Sequence, residues 1–149
     1  MTYVYTDGAC SNNGKKYARA GIGIFFGEND PRNIAQELSG KKTNNIAELT
    51  AIIVAYHVLE DEIDFGEEII ICTDSQYAMR CCTTYGEKCA KKGWKKEIPN
   101  KELEKRANQL FKNKKNKLVV VSNMLLIISS LPIPNRATDK PPINAPIIV

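Results

Sequence analysis

The sequence predicts an α/β fold, in which helices pack on the faces of a β-sheet, and two observations support this prediction. Segments rich in β-branched and aromatic residues are separated by turn residues early in the chain, and they alternate later with segments of helical periodicity. The chain has 149 residues, of which 43% are hydrophobic and 26% are charged, which suits one buried core. We therefore predict one domain over residues 1–149.

The first part of the chain is predicted to form three strands. Residues 2–6, 20–26 and 33–38 carry the β-branched, aromatic and apolar residues that strands favour. Turn residues at 11–14 and 27–31 separate these segments. Successive strands joined in this way predict an antiparallel meander.

A helix is predicted to follow the meander, over residues 46–59. Asn44 or Asn45 is expected to cap it, because a side-chain oxygen at that position accepts from the first unpaired backbone N–H groups. The apolar residues that give helical spacing are Ile46, Leu49, Ile52, Ile53, Tyr56 and Leu59.

The next segments predict a buried strand and further helices. Residues 67–72 begin with two glutamates and continue with four apolar residues. Such an apolar run is typical of a strand inside a sheet. Residues 73–75 can cap a helix that begins near Gln76. A second amphipathic helix is predicted over residues 102–111, and a last strand over residues 118–121. The pattern leaves the order of the strands open.

Charge is distributed unevenly along the chain. The formal net charge is +4, but residues 86–117 contain twelve Lys or Arg against four acids, so this segment has a net charge of +8 and the rest has −4. A basic segment on an acidic body favours a polyanionic partner whose chemistry takes place on the acidic part. The alternative is a lysine-rich helix face that is merely solvated.

Cysteine usage and the N-terminus indicate where the protein works. The cysteines at positions 10, 72, 81, 82 and 89 include no Cys-x-x-Cys pair, and His57 is the single histidine, which argues against a zinc or disulfide framework. No secretion leader follows Met1, and the apolar residues 118–131 are too few for a membrane span. We expect an intracellular protein, cytoplasmic or in the nucleoid or nucleus, that is neither secreted nor inserted in a membrane.

Three carboxylates lie at positions where sites are often built. The first strand is expected to stop at Asp7 and Gly8, and Asp74 directly follows the buried strand. Glu48 falls in the predicted first turn of the helix between them. If the first and fourth strands are neighbours and that helix covers them, the three carboxylates converge.

Clustered carboxylates predict a divalent cation. Oxygen ligands suit Mg²⁺ or Mn²⁺, and two such ions can activate water against a phosphodiester. Each residue also has an ordinary structural interpretation, as a turn former, a helix-dipole partner or a cap. The spacing of the carboxylates alone does not decide between a cation site and these structural interpretations.

The residues around the carboxylates carry a family resemblance. Residues 5–10 (YTDGAC), 43–49 (TNNIAEL) and 72–77 (CTDSQY) resemble, in order and spacing, the three signature segments of type 1 ribonuclease H. Residues 91–95 (KKGWK) look like that family's basic protrusion. The likeness covers about residues 1–121.

The resemblance implies a fold and an activity. The fold would be ribonuclease H-like, with a mixed five-stranded sheet of an antiparallel meander plus parallel strands and helices on both faces. The activity would be metal-dependent hydrolysis of the RNA strand of an RNA-DNA hybrid, with two Mg²⁺ ions or Mn²⁺ in their place. The products would carry 5′-phosphate and 3′-hydroxyl ends.

The resemblance also implies roles for individual residues. The metal-binding catalytic carboxylates would be Asp7, Glu48, Asp74 and Asp139. The residues facing the RNA strand would be Gly8, Ala9, Cys10, Asn13 and Gln76, and those touching backbone near the site would be Thr43 and Asn44. The residues gripping the DNA strand would be Trp94 and the nearby Lys91, Lys92 and Lys95.

Such contacts allow a hybrid to be recognised without its sequence being read. The minor groove of a hybrid displays 2′-hydroxyls on one strand only, so polar groups there distinguish RNA from DNA. Lysines add salt-sensitive affinity by neutralising phosphates.

The C-terminal part departs from the family pattern. Residues 135–139 (NRATD) fit the family's Asn-x-x-x-Asp context, which is why Asp139 is the predicted fourth ligand. The family's loop histidine is absent, because residues 128–131 read ISSL. Residues 121–149 hold only three charged residues and five of the seven prolines, and the adjacent Pro141 and Pro142 disfavour a closing helix.

Several explanations stay open for this departure. The end of the chain is truly divergent, or its reading frame is changed, or its sequence is imperfectly determined. A non-catalytic or weakly catalytic hybrid-binding module is the alternative function, favoured by the missing histidine and the altered tail. A third possibility is a domain that works beside a reverse transcriptase or replication machinery. We expect a free-standing monomer.

Overall fold

The computed structural model describes residues 2–112 and 118–121, with the side chain of residue 118 excepted. The strands are β1 (Thr2–Ser11), β2 (Arg19–Phe25), β3 (Ile34–Glu37), β4 (Ile69–Cys72) and β5 (Leu118–Val121). The helices are α1 (Asn44–Val58), α2 (Glu60–Asp64), α3 (Gln76–Cys82), α4 (Thr84–Lys91) and α5 (Lys101–Lys112).

The strands form one five-stranded mixed sheet in the order β3-β2-β1-β4-β5. β1, β2 and β3 pair antiparallel, as the short turns predicted, while β4 is parallel to both β1 and β5. This arrangement confirms the predicted α/β fold with its meander and its parallel strands.

β1 is longer than predicted. The expectation that it stops at Asp7 and Gly8 is wrong, because β2 pairs with β1 from Tyr5 to Ser11. The chain turns only after this pairing ends, where Asn12 and Gly14 adopt positive φ angles of 52° and 76°. These two residue types tolerate the left-handed backbone of a turn, so Asp7 and Gly8 are left within the strand.

α1 begins earlier than predicted. Thr43, and not Asn44 or Asn45, is the N-cap, because its Oγ1 accepts a hydrogen bond from the Ile46 N–H at 3.2 Å. Glu48 is consequently the fifth residue of α1 and lies in its second turn, not in its first. That position weakens the interpretation of Glu48 as a partner of the helix dipole, an effect confined to the first turn.

The helices after β4 differ from the prediction in one respect. Ser75 caps α3 by accepting a hydrogen bond from the Ala78 N–H at 3.1 Å, as the 73–75 segment predicted. The helical segment is then broken at Thr83, whose ψ is −109°, and a separate helix, α4, follows. Sequence patterning did not predict this break.

Side chains that alternate along the strands divide the sheet into two faces. Val4 of β1 and Ile71 of β4, which are register partners, belong to the main core beneath α1, α3 and α5. Tyr5 and Cys72, the next pair, belong to a smaller cluster on the other face. A helix on that second face stays a prediction, as does a single domain over residues 1–149, because residues 122–149 lie outside the described part.

All five cysteines lie within the described residues. Cys72, Cys81 and Cys82 are buried, Cys10 and Cys89 are half-buried, and all five are free thiols. Among the helices within residues 2–112, none combines the length and apolar character that crossing a membrane requires.

Candidate active site

Asp7 and Asp74 are brought together by the pairing of β1 with β4. The last register pair of these parallel strands is Tyr5 with Cys72. Asp7 and Asp74 each stand two residues beyond that pair, at the carboxyl end of the parallel segment. The sheet therefore places both carboxylates at the same level, on adjacent chain segments.

Glu48 reaches the same point because α1 lies against β1. A Cβ built on Gly8 would meet the backbone of Ala47 and Glu48, and it would lie 2.8 Å from the Ala47 Cβ. Only glycine allows the strand and the helix to approach this closely. The close approach places the residue after Ala47, Glu48, beside the residue before Gly8, Asp7.

The three carboxylates converge. The sequence predicted this convergence on the condition that the first and fourth strands are neighbours and that the helix covers them. One ligand oxygen from each of Asp7, Glu48 and Asp74 lies within 4.8 Å of the other two. Asp7 and Glu48 are half-buried and Asp74 is exposed, so the cluster opens to solvent on one side. Within residues 2–112 and 118–121, this is the group of His, Cys, Asp or Glu side chains with a metal-binding arrangement.

The electrostatics of the cluster favour a proton or a cation. Burial, followed by the negative charges of Asp7 and Asp74, raises the pKa of Glu48 to about 9. Burial and the charge of Asp74 also raise the pKa of Asp7, against the opposing hydrogen bonds from Glu48 and from the Gly8 N–H, the latter 2.9 Å from Asp7 Oδ1. Without a cation, Glu48 therefore keeps a proton at neutral pH that an exposed glutamate would release.

The donor set fits a divalent cation. Glu48 Oε2 is buried and has no hydrogen-bond partner among the described residues. A buried oxygen without a partner costs free energy, and coordination to a cation satisfies it. Carboxylate oxygens with an open, solvated side match the ligands that Mg²⁺ and Mn²⁺ take in proteins. The chain is thus an α/β protein with a candidate metal-binding carboxylate centre at the end of a parallel strand pair.

Comparisons with known proteins narrow this class to a family. The sequence model of the RNase H family matches residues 1–123. Ribonuclease H of Schizosaccharomyces pombe (strain 972 / ATCC 24843) is 41% identical over 116 residues, which cover 74% of this chain and 42% of that protein. Ribonuclease H1 of Mus musculus is 37% identical over 103 residues, which cover 66% of this chain and 35% of that protein.

A solved structure agrees with these relatives. The crystal structure of LC11-RNase H1 in complex with RNA/DNA hybrid is 25% identical, with a TM-score of 0.50 over 81% of this chain and 83% of that one. The chain belongs to the ribonuclease H family. It spans less than half the length of the two curated relatives.

Several predicted nucleic-acid contacts border the carboxylates. Gly8, Ala9 and Cys10 follow Asp7 along β1, and Gln76 is the exposed first residue of α3, two positions after Asp74. Their positions in the chain therefore keep them next to the carboxylate centre.

Hydrogen bonds join the β1–β2 turn to the segment at the start of α1. The Asn44 N–H donates to Asn13 Oδ1 at 3.0 Å, beside the N-cap Thr43. The predicted contacts Asn13, Thr43 and Asn44 are thus held together, about one helical turn before Glu48.

The predicted basic protrusion is a surface on and after α4. Lys91 ends α4, and Lys92 is its C-cap. Gly93 and Trp94 then adopt positive φ angles of 69° and 55°, and the Trp94 N–H donates to the Cys89 carbonyl at 2.9 Å. Trp94 is half-buried and helps to line a cavity of about 120 Å³, together with Tyr85, Lys88, Cys89, Lys92, Lys95 and Lys96.

A second basic surface was missed by sequence reasoning. A cavity of about 240 Å³ next to Thr43 is lined by four lysines from two loops, Lys15, Lys16, Lys41 and Lys42. The signal was present as two Lys-Lys pairs flanked by turn glycines. The pairs lie 26 positions apart in the sequence, so only the fold shows that they share one surface.

His57 is not a member of the carboxylate cluster. His57 is exposed near the end of α1, where its Nδ1 lies 3.6 Å from Glu60 Oε2, as expected for a helix-surface residue. Asp139, the predicted fourth ligand, lies outside the described residues, and so do the 128–131 and 135–139 segments.

Proposed function

We propose that this chain is an endonuclease that hydrolyses the RNA strand of RNA-DNA hybrids. The convergence of Asp7, Glu48 and Asp74 within 4.8 Å is the observation that carries the proposal. Membership of the ribonuclease H family gives the cluster its context, since the motifs that hold these carboxylates lie within the matched residues 1–123.

The proposed centre holds two Mg²⁺ ions, with Mn²⁺ as a possible replacement. Asp7, Glu48 and Asp74 supply oxygen ligands, and Asp139 is the proposed fourth carboxylate. Bound divalent ions supply an activated water and neutralise the leaving oxygen of a phosphodiester. The residues of the chain contribute position: Gly8 sets the distance between α1 and β1, and the β1–β4 register sets the level of the two aspartates.

The proposed reaction needs no covalent nucleophile from the protein. The attacking water approaches in line with the 3′-oxygen of the upstream ribose, which leaves with the bond electrons and a proton. Cleavage of that bond gives 5′-phosphate and 3′-hydroxyl ends. Glu48 and Asp7 would hold the divalent ions at a fixed place beside the reacting phosphate, and correct positioning of reacting groups lowers a reaction barrier substantially.

The proposed substrate contacts fall on both sides of the carboxylates. Gly8, Ala9, Cys10, Asn13 and Gln76 face the minor groove of the RNA strand, where 2′-hydroxyls identify it. Thr43, Asn44 and the neighbouring cavity lined by lysines bind phosphates of the nucleic-acid backbone. The DNA strand is bound by residues of the basic protrusion, Lys91, Lys92, Trp94 and Lys95. The solved complex of LC11-RNase H1 with RNA/DNA hybrid supports this choice of substrate class.

A cleavage assay tests the proposal. A hybrid labelled on its RNA strand is incubated with the protein and Mg²⁺, beside single-stranded RNA, double-stranded RNA and duplex DNA of the same sequence. We expect cleavage of the hybrid only, and products that ligate through a 5′-phosphate. Asp74→Asn is the matched control, because it keeps the size of the side chain and removes the charge.

Two outcomes of this assay would count against the proposal. Wild-type protein that cuts no faster than Asp74→Asn has no carboxylate-dependent activity. Protein that binds hybrid equally in EDTA and in Mg²⁺, and never cuts, is instead a hybrid-binding module.

We propose further that the chain acts as a monomer inside the cell. Four large hydrophobic residues of the described part are exposed, and each belongs to a different segment of the chain: Tyr17, Phe65, Tyr85 and Val119. The free cysteines suit a reducing compartment. Light scattering at micromolar concentration measures the mass, and a dimer would contradict the monomer.

A further inference from the structure

Glu104 is an ionisable residue buried in the interface between α3 and α5. Its side chain is only 2% exposed. Glu104 Oε1 accepts a hydrogen bond from the Tyr77 hydroxyl at 2.7 Å, while Glu104 Oε2 is buried without a hydrogen-bond partner among the described residues. A buried carboxyl group destabilises a core unless its contacts compensate for lost hydration. The burial of Glu104 beside the Tyr77 hydroxyl therefore calls for a physical explanation.

The Tyr77 hydroxyl joins two parts of the molecule. It donates to Glu104, and it accepts a second hydrogen bond from Asn100 Nδ2 at 3.2 Å. Burial raises the pKa of Tyr77, so the hydroxyl keeps the proton that it donates. Because that proton is directed to Glu104, the lone pairs of the oxygen face Asn100.

The first of these parts is the start of α3. Tyr77 is the second residue of α3 and stands three positions after Asp74. It directly follows Gln76, one of the proposed RNA contacts. The Tyr77 hydroxyl is thus attached to the helix that begins at the carboxylate centre.

The second part is the segment that follows the basic protrusion. Asn100 precedes α5 with a φ of 59°, and its carbonyl accepts from the Glu104 N–H at 2.9 Å. The residues between Trp94 and Asn100 contain no helix or strand. Asn100 is therefore where this irregular segment is attached to the folded core, by a residue held in a left-handed conformation that side chains generally avoid.

We propose that Glu104 is a positioning residue for the hybrid-cleaving reaction, an inference that rests on the proposed function. Glu104 fixes the orientation of the Tyr77 hydroxyl, which then binds Asn100 and holds the basic protrusion, residues 91–95, in a set place relative to Asp74. Glu104 contacts neither substrate nor metal in this role. Its effect falls on how the hybrid is held and not on the chemical step.

Kinetics of four variants test this role. Tyr77→Phe removes the hydroxyl, and Glu104→Leu removes its acceptor. Glu104→Gln keeps an acceptor oxygen and is the rescue variant. Glu102→Leu is the matched control, because it removes the same charge from an exposed position of the same helix.

We expect a split between the two kinetic constants. Tyr77→Phe and Glu104→Leu should raise KM for the hybrid about tenfold and leave kcat within about twofold, the pattern of lost binding contacts shared by ground state and transition state. Glu104→Gln and Glu102→Leu should stay within about twofold of the wild type in both constants. A fall in kcat with an unchanged KM in the first two variants would overturn the proposal.

The single tryptophan of the chain supplies a second readout that needs no activity. Trp94 lies in the basic protrusion and is half-buried, so its emission reports the placement of that segment. In metal-free protein without substrate, Tyr77→Phe and Glu104→Leu should shift the emission to longer wavelength, while Glu104→Gln and Glu102→Leu should not. Far-UV circular dichroism confirms that each variant is folded, and Tyr77→Phe serves if Glu104→Leu does not fold.

The two readouts separate the failure of this inference from the failure of the proposed function. If the wild type does not cut hybrid but the emission shifts as expected, the proposed function is wrong, while the placement of the basic protrusion by Glu104 and Tyr77 stands. If the wild type cuts hybrid and folded Tyr77→Phe shows unchanged KM and unchanged Trp94 emission, the positioning role is wrong.

Discussion

Gly8 of β1 lies so close to Ala47 of α1 that no other residue fits between the strand and the helix. A Cβ on Gly8 would collide with backbone atoms, which cannot move aside as the end of a flexible side chain can. This contact determines how far Glu48 stands from Asp7. A packing constraint in the core therefore sets the geometry of the carboxylate centre.

Gly8→Ala is expected to damage both stability and activity. Forcing a methyl group into this contact should lower the free energy of unfolding by about 2 kcal/mol, as overpacking does. Displacement of α1 by about 1 Å should reduce cleavage of hybrid about 100-fold. Urea denaturation and the hybrid assay measure the two effects.

Gly27→Ala is the control for this substitution. No heavy atom lies within 4 Å of a Cβ built on Gly27, and its φ is not in the left-handed region. Stability and activity should stay near the wild-type values. Equal losses in Gly8→Ala and Gly27→Ala would show that the contact with Ala47 does not matter.

The sequence predicted that the carboxylates converge only if the first and fourth strands are neighbours in the sheet. Segment types could be read from residue patterns, and the flanking motifs singled out Asp7, Glu48 and Asp74. Strand order depends on contacts between residues that are far apart in the sequence. The residues of β1 and β4 therefore do not show that these two strands pair. The structure supplies that pairing, and with it the shared level of the two aspartates.

The features that the sequence did not predict share a physical cause. The continuation of β1 past Asp7 depends on pairing with β2. Thr43 is the N-cap in place of Asn44 where the Asn44 N–H donates to Asn13 of the β1–β2 turn. The burial of Glu104 depends on the packing of α5 against Tyr77. Each of these outcomes is decided by tertiary contacts, which override local preferences.

Glu48→Gln is expected to stabilise the metal-free protein while abolishing its activity. The folded protein holds Glu48 at a pKa of about 9, so at neutral pH folding must retain a proton that the unfolded chain releases. A neutral amide avoids this, and we expect a gain of about 2 kcal/mol in the free energy of unfolding near pH 7. Thermal denaturation in EDTA measures the gain.

The exposed Glu28→Gln is the matched control for Glu48→Gln. It makes the same change of atoms at a solvated position and should alter stability by less than about 0.5 kcal/mol. A Glu48→Gln protein that is less stable than the wild type in EDTA would contradict the assigned electrostatics of the centre.

The stability of the metal-free protein is expected to fall as the pH rises from about 5 to about 8.5. The pKa of Glu48 rises from its ordinary 4.5 to about 9 on folding, and burial raises the pKa of Asp7 as well. Between the unfolded and folded values, the folded state binds more protons, so each step up in pH favours unfolding. Saturating Mg²⁺ should reverse the trend, because the cation replaces the protons and binds more tightly as they are lost.

Urea denaturation at a series of pH values, in EDTA and in Mg²⁺, measures this dependence. In EDTA, Glu48→Gln should remove most of the dependence of the free energy of unfolding on pH. The carboxylates whose pKa is lowered on folding, such as Asp30, titrate below this window and do not interfere. Stability that rises with pH in EDTA over this range would contradict the raised pKa values.

Substitution of Lys91 and Lys92 together by alanine is expected to weaken the binding of hybrid in a salt-dependent way. Each lysine at a phosphate releases a counterion, so the slope of log affinity against log salt should become less steep by about 2 units for the double variant. The loss should be the same for different sequences, because phosphate contacts carry no base information.

Replacement of the same two lysines by arginine preserves the charge and should preserve the slope. Fluorescence anisotropy with a labelled hybrid in Ca²⁺, over a series of salt concentrations, measures all three proteins. An unchanged slope in the alanine variant would mean that the basic protrusion does not contact the duplex, because removing two charges from a true phosphate contact cannot leave counterion release unaltered.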